Sequence, residues 1–277
     1  MRGSQPNRTL RRALRYALLS ALAVVILFPI YITVVNSLMQ PAALANGPAL
    51  WPSNPTFSNY ATAWSDARMG SYLFNTLFVT IGITVLQVVT AVLGGYAVAF
   101  LEFTYKRVMF VVYLATLMVP GEVTIIQNVT TIRSFGWYNS YTALIIPFIA
   151  SGFGAFLLRQ AFMTVPPDLQ DAAALDGYGH WRFLTRVVIP IARPAIGAMA
   201  LFAFLGSWNQ YLWPLLVTSD DRYRTVQIGL KQLRGENLTN VTVVFAGTVL
   251  AFLPIALLLL VFSKQLVRGL TAGAVKG

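Results

Sequence analysis

The chain has 277 residues, 57% hydrophobic and 10% charged, against about 25% charged in an ordinary soluble domain, so it reads as an integral membrane protein without a soluble domain. Its net charge of +11 fits basic residues gathered on the cytoplasmic face of a membrane, not a nucleic-acid footprint. The absence of cysteine excludes disulfide frameworks, thiolate metal sites and cysteine nucleophiles.

Residues 1–15 carry Arg2, Arg8, Arg11, Arg12 and Arg15 and no acid, a basic arm. The apolar run over about 16–38 is too long for the core of a signal peptide, although Ala43-Leu44-Ala45 has the form of a cleavage site. It is long enough to cross a bilayer, which takes roughly 20 apolar residues, and predicts a retained first span. Residues 39–71, rich in Pro, Asn, Ser and Trp, predict an external loop with short amphipathic pieces. A second span over about 73–101 is long enough to tilt or protrude, and Glu102, Lys106 and Arg107 mark a short inside turn. The third span, about 108–127, is broken at Pro120-Gly121, and the fourth runs over about 140–158. A polar segment, 166–190, precedes a fifth span at about 196–217. An external loop at 218–242 and a sixth span at 243–263 complete an all-α integral membrane domain over 16–263, leaving a tail at 264–277. Of the 20 Lys and Arg, 14 fall in the arm, the first turn, the segment from Arg159 to Arg193 and the tail. That bias predicts that both termini and the polar segment are cytoplasmic.

Within the polar segment, Pro166 and Pro167 suit a first helical turn, and Asp168 with Asp171 three residues on resembles a capping box. Leu169, Ala172, Ala173 and Leu175 continue at helical spacing until Gly177 supplies a left-handed residue that ends the helix. A second short helix over about 179–188 presents Trp181, Leu184, Thr185 and Val188 before Pro190 and Pro194 reset the chain. The prediction is a cytoplasmic two-helix protrusion between spans four and five. Its paired alanines let another protein approach the backbone, with Asp171 and Asp176 flanking the contact.

Asp171-Ala172-Ala173, Asp176-Gly177 and, after a spacer, Ile189-Pro190 are similar to the "EAA" loop of permease subunits of binding-protein-dependent ABC importers. Asp171 stands for the usual glutamate and Tyr178 where alanine is common. The likeness continues through Met118-Val119-Pro120-Gly121-Glu122, Phe156-Leu157-Leu158-Arg159-Gln160, Gly206-Ser207-Trp208-Asn209-Gln210-Tyr211-Leu212-Trp213-Pro214 and the tail from Arg268, and resembles the carbohydrate branch that holds the maltose and glycerol-3-phosphate permeases. The resemblance implies a bacterial-type inner membrane, a second related permease, two ATPase subunits and an extracytoplasmic solute-binding protein that delivers a sugar or sugar-like solute. Glycerol 3-phosphate or a related phosphodiester is the alternative solute. It assigns ATPase coupling to Asp171, Ala172, Ala173, Asp176, Gly177, Ile189 and Pro190, and it places the tail between the ATPase subunits, a plain disordered end being the alternative. A stand-alone channel or secondary transporter is the rival class, but neither internal repeats nor several intramembrane charges are evident.

The chain has no G-x-x-x-x-G-K-[ST] string to cradle phosphates. The chain is therefore not expected to hydrolyse ATP alone; the resemblance places ATP and Mg on partner subunits, with no cofactor and no catalytic residue expected here. His180, the only histidine, has its one acid at helical spacing, Asp176, across Gly177, and reads as a surface residue and not a metal ligand. Asn128-Val129-Thr130 and Asn237-Leu238-Thr239 are glycosylation triplets in form only. Glu122 is the one acid within an apolar span, and such a group is a functional candidate by default; the alternative is a place at the outer interface or a bond to Gln127. Trp208, Asn209, Gln210, Tyr211 and Trp213 join aromatic faces to amides, which suits sugar rings and equally an interfacial belt or bundle packing. In the loop 218–242, the resemblance makes Arg222, Arg224, Lys231 and Arg234 candidate contacts for the binding protein; their mixing with Asp220, Asp221 and Glu236 equally suits a solvated loop.

Overall fold

The computed structural model describes residues 8–44, 47–236 and 240–271. Arg2 of the arm, the triplet at 237–239 and the end of the tail at 272–277 lie outside them. The described residues contain helices and no strand. In order these are α1 (Arg8–Ser37), α2 (Ser58–Ser65), α3 (Met69–Phe100), α4 (Lys106–Leu117), α5 (Gly121–Ser134), α6 (Tyr141–Ile145), α7 (Gly152–Phe162), α8 (Pro167–Leu175), α9 (His180–Phe183), α10 (Ile189–Trp208), α11 (Leu212–Val217), α12 (Val226–Glu236) and α13 (Val241–Thr271). Among the described residues, four continuous stretches are long and apolar enough to cross a membrane: Arg11–Ser37, Met69–Phe100, His180–Trp208 and Val241–Phe262. Two bent pairs, Lys106–Leu117 with Gly121–Ser134 and Tyr141–Phe148 with Gly152–Phe162, bring the count to the expected six when each pair is taken as one span.

Several boundaries depart from expectation. The break at Pro120-Gly121 turns the axis by 99°, so the third span is not merely kinked: its second half runs across the first. The fifth helix does not stop at Pro190 and Pro194 but runs from His180 to Trp208. Proline is tolerated because residues 184–188 form a π-helical turn in which the Ile189 N–H reaches the Leu184 carbonyl. That wider turn relieves the crowding between the Pro190 ring and the carbonyl four residues back. The loop 218–242 contains a full helix, α12, and α13 continues to Thr271, into the segment expected as a tail.

The chain forms two compact units. The first comprises Met1–Met69 with Leu230–Leu253. Here a buried polar network fastens the loop after α1: Asn59 Nδ2 donates to the carbonyls of Ser37 and Met39, both at 2.8 Å, and Asn59 Oδ1 accepts from Thr242 Oγ1 at 3.0 Å. Asn36 pairs with both backbone groups of Ala49. Each buried polar atom of Asn59 is thereby matched, which its removal from water demands.

The second unit comprises Gly70–Gly229 with Pro254–Gly277. One core gathers Ala91, Leu158, Phe162, Phe183, Leu184, Val188 and Met199 of α3, α7 and the fifth helix, and another gathers Val79, Ile83, Leu144 and Trp213. The helices approach closely through glycine: a Cβ on Gly95 would lie 3.1 Å from the Arg159 nitrogen and 3.3 Å from the Ala155 carbonyl. Small residues at such crossings let backbones meet where lipid offers no hydrophobic drive. The break in the fourth span is repaired from α3. Gln87 Nε2 donates to the Phe148 carbonyl at 2.7 Å and Thr90 Oγ1 to the Ile149 carbonyl at 2.6 Å, supplying donors that non-helical backbone needs at membrane depth.

Candidate functional site

Two groups of the expected site residues form local structures. The first is the protrusion. Pro167 occupies the first turn of α8 as its fixed φ allows, but Pro166 is the N-cap and no side chain caps the helix, so the expected Asp168 and Asp171 capping box is not formed. At the other end the Gly177 N–H reaches the Ala174 carbonyl at 3.0 Å and the Tyr178 N–H the Ala173 carbonyl at 2.8 Å. This is a Schellman turn, with Gly177 at φ +74°. Ala173 is buried in the core while Asp171, Ala172 and Asp176 face outward. Tyr178 packs against the same core, and Arg182 lies 5.2 Å over its ring. Ile189 packs on that core too, and it and Pro190 are half-buried. Leu175 is 91% exposed and Trp181 70% exposed.

His180 is exposed, as expected, but not idle: its Nδ1 lies 3.1 Å from the Tyr96 hydroxyl, which also donates to the His180 carbonyl at 3.2 Å. Tyr96, 5% exposed, stands in an aromatic cluster with Phe100 and Phe183. Sequence reasoning missed this tyrosine. Among the described residues, no three His, Asp or Glu side chains converge as a metal site would require.

The second group surrounds a cavity of about 300 Å³ lined by Glu122, Thr124, Asn128, Phe148, Gln210, Tyr211 and Trp213, among others. Glu122 sits in the first turn of α5, where the helix dipole favours a carboxylate. Trp213 is held by its Nε1–H, which donates to the Ala143 carbonyl at 3.0 Å, and by edge-to-face contact with Phe148 at 5.6 Å. Gln210, in the break between α10 and α11, also lines a neighbouring cavity of about 270 Å³ with Gln87, Ser151 and Ser207. Four of the six pathway candidates therefore converge. Trp208 does not: it is 1% exposed and stacks on Phe204 at 5.6 Å, in the core. Nor does Asn209, whose Nδ2 turns back to the Leu205 carbonyl at 2.8 Å.

The basic loop residues divide. Arg222 pairs with Asp220 at 2.7 Å and Arg224 with Asp221 at 3.2 Å, so this stretch does not offer a bare cationic patch. The Arg222 guanidinium hydrogen-bonded to Asp220 holds its carboxyl below the usual range. Backbone contacts fix the segment: Asn75 Nδ2 donates to the carbonyls of Arg222 and Arg224, both at 2.9 Å, and Asn75 Oδ1 accepts from the Tyr141 hydroxyl at 2.7 Å. The Val226 N–H donates to Thr76 Oγ1 at 2.8 Å. Lys231 and Arg234 lie exposed on α12.

A helical membrane chain with broken spans, polar side chains gathered around a cavity beside those breaks and a braced polar protrusion has the build of a transport permease. Residues 91–272 match the family described as binding-protein-dependent transport system inner membrane component, and the chain belongs to that family. Members are transport components of ABC importers, so the chain is an inner-membrane permease and not an enzyme. It is 33% identical over 254 residues to the sn-glycerol-3-phosphate transport system permease protein UgpE of Yersinia enterocolitica, covering 88% of this chain and 90% of that one. It is 31% identical over 274 residues to UgpE of Agrobacterium fabrum, covering 95% and 97%. In fold it resembles a chain of a bacterial ABC transporter involved in the import of the acidic polysaccharide alginate, with TM-score 0.82, 24% identity and coverage of 95% and 99%. A chain of the bacterial alginate transporter in complex with its periplasmic protein gives TM-score 0.58 at 16% identity, covering 94% and 96%.

Proposed function

We propose that this permease passes a carbohydrate or related polyhydroxy solute from an external binding protein to the cytoplasm, driven by two ATPase subunits that dock on the protrusion around Asp171, Ala172, Ala173, Asp176 and Gly177. A second permease supplies the other half of the pathway. Both termini and the protrusion are cytoplasmic, and the segment from Asp220 to Arg224, with Lys231 and Arg234 on α12, meets the binding protein outside. The carrying observation is that Leu175 and Trp181 are held out on a polar loop whose backbone is locked by a Schellman turn. Apolar side chains displayed on a rigid mount that leads into the fifth helix mark a protein contact, and Ala172 beside them lets that partner come close.

The cavity around Glu122 is this subunit's share of the solute path. Phe148, Tyr211 and Trp213 offer faces for the CH surface of a sugar, while Asn128, Gln210 and Thr124 offer donors and acceptors. Its lining has one carboxylate and no Lys or Arg, which favours an uncharged solute on this side. The second reading is glycerol 3-phosphate, favoured by the names of the UgpE relatives; its phosphate would then be met by the partner permease or the binding protein. Purifying the tagged chain from its native membrane in mild detergent tests the assembly. A second permease and an ATPase in stoichiometric amounts support it, and a self-associated chain without ATPase overturns it. Competition of the cognate binding protein's ligand by neutral sugars or by glycerol 3-phosphate separates the two solutes.

A further inference from the structure

Among the described spans, α3 alone has neither proline nor break: α1, the fifth helix and α13 contain Pro29, Pro194 and Pro254, and the other two are bent pairs. Sharp helix bends arise at proline, at interrupted hydrogen-bond ladders and at glycine pairs; α3 carries only the last, Gly94-Gly95, and Tyr113, Ala155, Leu158 and Arg159 crowd that pair, so α3 runs unbroken over Met69–Phe100. Its side chains hold three separate structures. Tyr96 grips the first residue of the fifth helix through His180, three residues beyond Gly177. Gln87 and Thr90 hold the broken fourth span. Asn75 and Thr76 hold the segment from Arg222 to Val226. Thr76 and Tyr96 are separated by about 30 Å along the axis at 1.5 Å per residue, close to the hydrocarbon thickness of a bilayer.

We propose that α3 is a rod that transmits movement of the protrusion to the segment on the opposite face, and that Tyr96 and Asn75 are the positioning residues at its two ends. Close packing of Gly95 on the α7 backbone makes the rod carry α7 with it. At the protrusion end the π-helical turn at Leu184–Val188 follows the Tyr96 contact directly. A wide turn is a natural place for flexing, since such turns recur where helices carry function, so without the Tyr96 hydroxyl a push on the protrusion is absorbed there and does not reach α3. A shift of either end must then alter the free energy of the other, because coupling between sites is reciprocal.

This inference rests on the proposed docking of ATPases at the protrusion, and the test separates the two. The absence of native cysteine lets a single Arg222→Cys, whose side chain is 78% exposed, report on the far segment. The complex with its native subunits is reconstituted in nanodiscs, and labelling of this chain by a charged maleimide is timed with and without ATP plus orthovanadate. The expected result is a nucleotide-dependent change in labelling rate that Tyr96→Phe reduces about fivefold, the effect of one lost hydrogen bond. His180→Ala, at an exposed position, reduces it from the other side of the contact. Asn75→Ala does likewise, and Tyr96→Phe with Asn75→Ala is no worse than either alone, the non-additivity expected of one shared path. ATPase subunits retained at the parent level show that the variants assemble. An undiminished change in Tyr96→Phe, or no change in the parent despite bound ATPases, overturns the rod. Loss of the ATPases from the parent itself overturns the docking on which it stands.

Discussion

The Tyr178 N–H meets the Ala173 carbonyl at 2.8 Å across Gly177, and this contact fixes how the protrusion leaves the membrane domain. Ala173 is buried in the core that α3, α7 and the fifth helix share, so the turn is anchored on one side and bare on the other. A Cβ added at Gly177 would find nothing within 4 Å, yet the backbone there has φ +74°. Gly177→Ala therefore costs about 1 to 2 kcal/mol through left-handed strain alone and lowers uptake modestly. Gly177→Trp has open space around its Cβ and should reach the membrane at normal levels by immunoblot while abolishing transport, because its bulk lies at the proposed ATPase docking surface. Normal uptake by Gly177→Trp would remove the protrusion from the coupling path.

At the cavity, Glu122 is the one charge facing Gln210 and Tyr211. Replacing it by glutamine keeps size and hydrogen-bonding capacity but removes charge. Hydrogen bonds to a charged group contribute about 1.5 to 3 kcal/mol, so Glu122→Gln should raise the half-saturating concentration for uptake about tenfold or more, with assembly intact. Trp208→Phe, off the cavity, should leave that concentration unchanged. Uptake kinetics with the identified binding protein decide it, and an unaltered Glu122→Gln variant would take the carboxylate out of the pathway.

The six apolar runs were legible because a bilayer imposes length and polarity on every crossing segment. The start of α8 at Pro167 and its end at Gly177 were legible because a proline ring and a positive φ act locally. What escaped was set by distant residues. Pro190 and Pro194 read as helix stops only if the preceding ladder is α-helical; the π turn before them is packed against α3 and α7, which no local pattern reports. The break at Pro120 was visible, but its 99° angle depends on what α5 packs against. Glu122 and Gln210 were both singled out, while their meeting at one cavity required the fold. Tyr96 was passed over because its partner lies 84 residues away and nothing near it in the chain is polar enough to mark it.

The crossing of α3 with α7 should be among the least tolerant places in the second unit. A methyl at Gly95 would press on the Arg159 nitrogen at 3.1 Å, the Leu158 Cβ at 3.2 Å and the Ala155 carbonyl at 3.3 Å, two of which are backbone and cannot turn aside. Gly197, by contrast, has nothing within 4 Å of an added Cβ. Overpacking of this kind typically costs about 1 to 3 kcal/mol. Gly95→Val should lower the melting temperature of the detergent-solubilised protein by several degrees and Gly197→Val by much less. Equal melting temperatures would show that the helices can part at Gly95 without loss.

The Asp220 to Arg222 pair sets the pH behaviour of the far segment. Hydrogen bonding from Arg222 lowers the Asp220 carboxyl below its ordinary 3.8. A group whose pKa is depressed on folding contributes stability above its unfolded value, and that contribution is lost as pH falls through the folded one. The pair is therefore fully in force from pH 5 to 8 and is weakened only in strong acid. Because the Arg222 side of the pair is exposed, added salt screens it, but the Asn75 contacts to the Arg222 and Arg224 carbonyls carry no net charge and persist. A spin label at Gln227→Cys should show constant mobility between pH 5 and 8 and little response to salt. Asn75→Ala should loosen the same label at every pH. A label freed by added salt at pH 7, with Asn75→Ala leaving it fixed, would mean that charge, and not the Asn75 amide, holds the segment in place.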